Sequence, residues 1–147
     1  MSDQTDDFGG IDDDTWDRLA EAARNVRSHA YVPYSDFPVG AALLTTGGEI
    51  FAGCNVENAT IGATVCAERT AIGCAVAAGH TEFVALAVIT AVDPPSAPCG
   101  ICRQVLAEFC DDMPILMINP AGGHRFTTLD ELLPLRFSGR DFIDDKC

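Results

Sequence analysis

Two continuous apolar runs rich in β-forming residues, at residues 83–92 and 115–118, limit most strongly what this chain can fold into. A strand that is apolar on both sides has to be covered on both faces, as the central strands of α/β proteins are. We expect helices predicted elsewhere in the chain to supply that cover. The sequence therefore predicts an α/β arrangement with these two runs at its centre.

The remaining elements follow from apolar spacing and turn residues. Apolar residues recur at helical spacing from Trp16, and the aspartates at residues 12–14 offer N-caps for that first helix. The turn Thr46-Gly47-Gly48 predicts a hairpin, and the capping box Thr128-Leu-Asp-Glu131 predicts a short last helix. The predicted order is α-β-β-α-β-α-β-α, with hairpin strands at residues 39–44 and 49–56 and the middle helices at residues 65–78 and 98–106.

The length and charge of the chain limit its possible domain organisation and its possible partners. We expect a flexible acidic leader at residues 1–14 and a single domain at residues 15–147, because this length suits one compact unit. No apolar run approaches the roughly 20 residues of a membrane helix, and the acidic start is unlike a secretory signal, so we expect a cytoplasmic protein. The net charge of −13 repels phosphate backbones and anionic membranes, which argues against nucleic acid or a membrane as partner.

The cysteines indicate a metal site. Seven cysteines are an odd number for a disulfide framework, and Cys66-Ala-Glu68 is followed 33 positions later by Pro98-Cys99-Gly-Ile-Cys102. Cys99 and Cys102 stand at i and i+3, so both thiols face the same way in the first turn of a helix. Three protein ligands leave the fourth tetrahedral position of Zn²⁺ for water, which is the ligand count of a catalytic site.

Glu68 and two arginines complete the chemistry that this spacing predicts. Glu68 follows Cys66 on the same helical turn, so it could take a proton from that water and return it to a substrate nitrogen and leaving ammonia. This role requires that burial raises the pKa of Glu68 towards neutrality. Both cysteine motifs should lie at helix N-termini, which stabilise thiolates, and Arg69 and Arg103 could compensate the remaining negative charge.

From residue 22 to residue 142 the chain resembles the small homotetrameric cytidine deaminases. The resemblance is carried by the segments NVENA, CAERTAI, PCGICRQVL and ELLP at that family's spacing, and a Cys-x-Glu motif with a distant Pro-Cys-x-x-Cys is the zinc deaminase signature. It implies a three-layer α/β/α fold with a five-stranded mixed sheet and one Zn²⁺ per chain. It also implies hydrolysis of cytidine or deoxycytidine to the uridine product for pyrimidine salvage, in active sites shared between the subunits of a homotetramer.

The same resemblance implies the substrate contacts within one chain. Asn55 and Glu57 would hydrogen-bond the ribose 3′-hydroxyl group, and Phe37 would pack on the pyrimidine or the sugar. Backbone groups at Ala67 and near Cys99 would read the edge of the base.

Two further positions concern the neighbouring subunit and leave alternatives open. Phe137 matches an aromatic residue that the family inserts into the adjacent pocket, whereas Ile61 stands where the family usually has a Tyr or Phe that also crosses. That departure keeps a blasticidin-type aminonucleoside-antibiotic deaminase, or a deaminase of modified cytidine, as the alternative enzyme. An inactive zinc-stabilised scaffold is the non-enzymatic alternative, and Glu68 argues against it, because a structural site gives no reason for a buried carboxylate there.

Overall fold

A computed structural model describes residues 8–143 of the chain, and its centre is one mixed sheet. The sheet order is β2-β1-β3-β4-β5, in which β3 and β4 are parallel and the other neighbours are antiparallel. This confirms the predicted α/β class and the five-stranded mixed sheet. The strands are β1 (Gly40–Thr45), β2 (Ile50–Cys54), β3 (Phe83–Ile89), β4 (Pro114–Ile118) and β5 (His124–Thr128).

Helices cover both faces of this sheet, as the two apolar runs require. Alternate residues of β1 point to opposite sides, so Ala41 and Leu43 belong to one buried cluster and Ala42 and Leu44 to another. The first cluster packs against α2, α3 and α4, and the second packs against α1. The helices are α1 (Asp13–Arg27), α2 (Ala67–Ala77), α3 (Gly100–Phe109), α4 (Leu129–Leu132) and α5 (Arg140–Ile143), and none of those within residues 8–143 has the length and apolarity needed to cross a bilayer.

The strand directions bring the starts of α2 and α3 to one edge of the sheet. β2 and β3 are both antiparallel to β1, so they run the same way. α2 follows the carboxyl end of β2, and α3 follows the carboxyl end of β3. Two segments far apart in the sequence therefore meet at the edge where α/β proteins commonly bind ligands.

The order of elements predicted from the sequence patterns did not include β5 and α5. β5 reads His-Arg-Phe-Thr-Thr and forms an edge strand in which only Thr127 is buried. An edge strand of this kind carries little of the apolar alternation by which strands are recognised. The hairpin was predicted correctly, and so was the capping box of Thr128 and Glu131 at the start of α4.

The boundary at residue 14 is corrected by the contacts of Phe8. Residues 1–7 of the predicted leader lie outside the described residues. The ring of Phe8 packs on Phe126 with centroids 4.5 Å apart, and its carbonyl oxygen accepts a hydrogen bond from Trp16 Nε1 at 3.3 Å. α1 already begins at Asp13, capped by Asp12. Residues 8–14 are therefore part of the folded unit, because Phe8 adds an apolar contact that the acidic composition concealed.

Close packing of α2 on β2 makes Gly53 sensitive to substitution. A Cβ at Gly53 would lie 2.3 Å from the Ala71 nitrogen and 2.7 Å from the Ala67 oxygen. Both atoms belong to the helix backbone and cannot move aside as a side chain can. We therefore expect Gly53→Ala to lower the free energy of unfolding by about 2–3 kcal/mol.

Urea denaturation followed by circular dichroism measures this loss, and Gly62→Ala is the matched control. A Cβ at Gly62 meets nothing within 4 Å, so its effect should stay within about 0.5 kcal/mol. Equal stability of the two variants would contradict the close approach of α2 and β2.

Candidate active site

The thiols of Cys66, Cys99 and Cys102 come together where α2 and α3 begin. Cys66 and Cys99 are the N-cap residues of the two helices, and Cys102 lies in the first turn of α3. The three sulfur atoms lie within 4.8 Å of one another, with 3.8 Å between those of Cys66 and Cys99. Zn–S bonds of about 2.3 Å in a tetrahedron place sulfur atoms about 3.8 Å apart, so the three thiols fit one zinc ion.

The surroundings of these thiols favour a thiolate at Cys66. A hydrogen bond from the Cys102 thiol lowers the pKa of Cys66 to about 5, and Arg69 contributes to the same shift. Donating that bond raises the pKa of Cys102. The N-termini of α2 and α3 add the partial positive charge of their free N–H groups.

The two predicted charge-compensating arginines have different contacts. Arg69 Nη2 donates to Cys66 Sγ at 3.3 Å, and its bonds to the thiols, foremost with Cys102, raise the pKa of the guanidinium. Arg103 instead donates from Nε to the carbonyl oxygen of Pro98 at 2.7 Å and from Nη1 to that of Leu132 at 2.8 Å. These hydrogen bonds join the loop before α3 to the end of α4, and the charge-compensating role of Arg103 stays a prediction.

Glu68 has the burial that its predicted role requires. Only 4% of Glu68 is exposed, and this burial raises the pKa of its carboxyl group, with a further contribution from the negative charge of Cys66. The Cys102 sulfur atom lies 3.8 Å from Glu68 Oε1. A carboxyl group that holds its proton more tightly than an exposed glutamate therefore stands beside the thiol cluster.

A cavity of about 230 Å³ borders Glu68 and two of the three thiols, those of Cys66 and Cys99. Its walls include three further residues that the sequence placed at the site, namely Phe37, Asn55 and Ala67. Sequence reasoning missed Thr64, Thr90 and Ser96. The signal for Thr90 was its place as the first residue after β3, at the carboxyl end of a central strand. The remaining lining residues are Val39, Val88 and Ala97.

Asn55 is buried in the cavity wall and is engaged by the backbone. Its Oδ1 accepts from the Val39 nitrogen at 2.9 Å, and its Nδ2 donates to the Phe37 carbonyl oxygen at 2.9 Å. The amide thus fixes the segment that carries Phe37. A contact of Asn55 with a sugar stays a prediction.

Glu57 lies in an adjoining cavity of about 310 Å³, which shares Thr64 with the first. Its Oε1 accepts from the backbone nitrogens of Tyr34 at 2.9 Å and Ser35 at 3.1 Å, and its Oε2 accepts from the Ser35 hydroxyl group. The Ser35 hydroxyl, followed by these backbone donors, lowers the pKa of Glu57, so the carboxylate is ionised at neutral pH. Ile61 lines the same cavity and is 72% exposed.

Phe137 does not line either cavity of its own chain. The side chain is 65% exposed, its ring lies 5.5 Å from that of Phe142, and its carbonyl oxygen accepts from Gln104 Nε2 at 3.0 Å. An exposed ring is compatible with entry into a neighbouring subunit, and that role stays a prediction.

Comparison with known proteins agrees with this geometry. The family model of the cytidine and deoxycytidylate deaminase zinc-binding region matches residues 14–117. A cytidine deaminase of Sporosarcina psychrophila is 49% identical over 126 residues, which cover 85% of this chain and 93% of that protein. The crystal structure of cytidine deaminase from Burkholderia pseudomallei has a TM-score of 0.79 and 48% identity, covering 82% of this chain and 98% of that one.

A more distant relative bears on the alternative substrate. A blasticidin-S deaminase of Bacillus cereus is 36% identical over 111 residues, which cover 68% of this chain and 76% of that protein. The family match spans more than half of this chain and contains both cysteine motifs and Glu68. The protein therefore belongs to the zinc-dependent cytidine deaminase family.

Proposed function

We propose that this protein hydrolyses cytidine and deoxycytidine to uridine and deoxyuridine with release of ammonia. The observation that carries the proposal is the buried carboxyl group of Glu68 beside three thiols that fit one zinc ion, at the wall of a cavity. Cys66, Cys99 and Cys102 would hold one zinc ion, which would supply the Lewis acid that makes water a nucleophile towards C4 of the pyrimidine.

Glu68 carries the protons in this reaction. Its carboxylate accepts a proton from the attacking water and delivers it to the ring nitrogen beside C4. The same carboxylate then takes the second proton from the oxygen now bonded to C4 and passes it to the amino group, so the C4–N bond breaks, ammonia leaves and C4 keeps the oxygen as a carbonyl. The raised pKa of Glu68 suits both transfers, because a carboxyl group with an ordinary pKa is too weak a base and too rarely protonated at neutral pH.

Other residues hold the substrate and balance charge. We assign the apolar wall at Phe37 to the pyrimidine, the backbone at Ala67 and Cys99 to the base edge, and the polar groups of Asn55 and Glu57 to the sugar. Arg69 offsets the thiolates through its bond to Cys66 Sγ. The separation of the two cavities at Thr64 supports this division, because one borders the thiols and the other borders Glu57.

The proposal includes a homotetramer with shared active sites, acting in cytoplasmic pyrimidine salvage. Large apolar side chains are exposed in the single chain, with Ile61 at 72%, Leu135 at 104% and Phe137 at 65%. Exposed apolar surface of this kind is typical of subunit interfaces. The cysteines among residues 8–143 are free thiols, as a reducing compartment favours.

The substrate range tests the function directly. We expect loss of absorbance at the cytosine band with cytidine and deoxycytidine and no turnover of CMP, because the lining residues of both cavities include no Lys or Arg for a phosphate and do include the ionised Glu57. Blasticidin S is assayed in parallel with bound zinc quantified. Turnover of blasticidin S alone would establish the antibiotic deaminase, and zinc without any turnover would indicate the inactive scaffold.

Replacing Glu68 separates proton transfer from metal binding. Glu68→Gln should keep the fold and the zinc and lose turnover by about a thousandfold or more, because the amide cannot carry the proton. Steady-state kinetics with metal analysis measures both properties. Glu21→Gln on the exposed side of α1 is the matched control, and near-normal turnover of Glu68→Gln would contradict the assigned role.

The thiol cluster is tested by metal retention. Cys99→Ser should lower the zinc that remains after dialysis against a chelator, because a hydroxyl group is a much poorer zinc ligand than a thiolate. Cys74→Ser, at an exposed position of α2 outside the cluster, should retain about one zinc per chain. Equal zinc contents in the two variants would exclude Cys99 as a ligand.

A further inference from the structure

The hydroxyl group of Ser35 connects two residues that the proposed function assigns to the substrate. Its Oγ donates to Glu57 Oε2 and accepts from the backbone nitrogen of Phe37 at 3.0 Å. A serine hydroxyl has a single proton, so accepting from Phe37 leaves that proton for the carboxylate. The backbone N–H group of Phe37 therefore orients the Ser35 hydroxyl group so that it donates to Glu57 Oε2.

The donors around Glu57 are shared unequally between its two oxygen atoms. Oε1 accepts two backbone N–H groups, those of Tyr34 and Ser35, and a carboxylate oxygen has room for about two such bonds. Within residues 8–143, Oε2 accepts from the Ser35 hydroxyl alone. Oε2 thus keeps one acceptor position for a ligand in the cavity that Glu57 lines.

The loop around Ser35 is built to hold this arrangement. Asp36 has a positive φ of 56°, in the left-handed region that Asp tolerates better than most residues, and its nitrogen donates to the Val32 carbonyl oxygen at 3.0 Å. This turn places the Ser35 hydroxyl oxygen where it accepts a hydrogen bond from the Phe37 nitrogen. On the far side, Asn55 binds the Phe37 carbonyl oxygen at 2.9 Å, so the segment is held from two directions.

We propose that Ser35 is a positioning residue, whose hydroxyl group fixes the Glu57 carboxylate so that Oε2 accepts a hydrogen bond from the 3′-hydroxyl group of the nucleoside. The inference rests on the proposed function, because the sugar contact of Glu57 is part of it. Loss of the hydroxyl group removes the bond at Oε2, so only the two backbone donors at Oε1 restrain the last torsion of Glu57, which has a broad profile. Sugar binding then weakens while the chemistry at Glu68 is untouched.

The test compares the activity of Ser35→Ala on two substrates that differ only in the 3′-hydroxyl group. With cytidine, kcat/KM should fall by about tenfold, mostly through KM, because a binding contact is lost. With 3′-deoxycytidine the fall should stay below about twofold, because the partner hydroxyl is absent. Ser35→Thr keeps the hydroxyl group and should restore most of the loss. Ser28→Ala is the matched control, since the Ser28 hydroxyl donates only to the Asn25 carbonyl oxygen at the end of α1.

Calorimetric binding of uridine and 3′-deoxyuridine repeats the comparison without turnover, and Glu57→Gln is measured alongside. Ser35→Ala could lower the affinity for both ligands equally while Glu57→Gln lowers the two affinities unequally. That result would overturn the role of Ser35 and leave the proposed function standing. Equal losses in Glu57→Gln would overturn the sugar contact and the inference together. A wild-type protein that neither binds nor deaminates these nucleosides would refute the proposed function itself.

Discussion

Negative charge concentrated at the thiol cluster is the constraint on which the rest of the site depends. Three sulfur atoms within 4.8 Å carry more charge as thiolates than one divalent ion neutralises. The fold meets this with two helix N-termini and with Arg69, all directed at the cluster. The same negative charge adds to the burial that raises the pKa of Glu68. One electrostatic arrangement therefore supports both the metal ligands and the proton carrier.

Two polar residues of the NVENA segment, Asn55 and Glu57, stabilise a loop in addition to any contact with substrate. Asn55 binds the backbone of Phe37 and Val39, and Glu57 binds the backbone of Tyr34 and Ser35. The loop that forms the outer wall of the cavity is thus held by the side chains proposed to bind the sugar. Substitution of either residue changes the shape of the wall as well as its hydrogen-bonding groups, which is why binding and folding have to be separated by experiment.

Sequence reasoning reached furthest where a signal is local. The i, i+3 spacing of Cys99 and Cys102, the central strands and the capping box at Thr128 depend on neighbouring residues, and the structure confirms their geometry. β5 was missed because an edge strand with exposed His124 and Arg125 lacks an apolar pattern. The hydrogen bonds of Arg103 to Leu132 and of Ser35 to Glu57 could not be predicted, since these partners lie 29 and 22 residues apart in the chain. Contacts of that range depend on the fold and leave no periodic trace in the sequence.

Thr64 stands between the cavity that borders the thiols and the cavity that borders Glu57. Each cavity has walls from different segments, since the first is built around the start of α2 and the second around residues 34–35 and 57–61. The second set contains neither Glu68 nor any of the three thiols. Related enzymes can therefore evolve a different sugar preference while the residues that carry out deamination stay constant. Protein engineering can use the same separation.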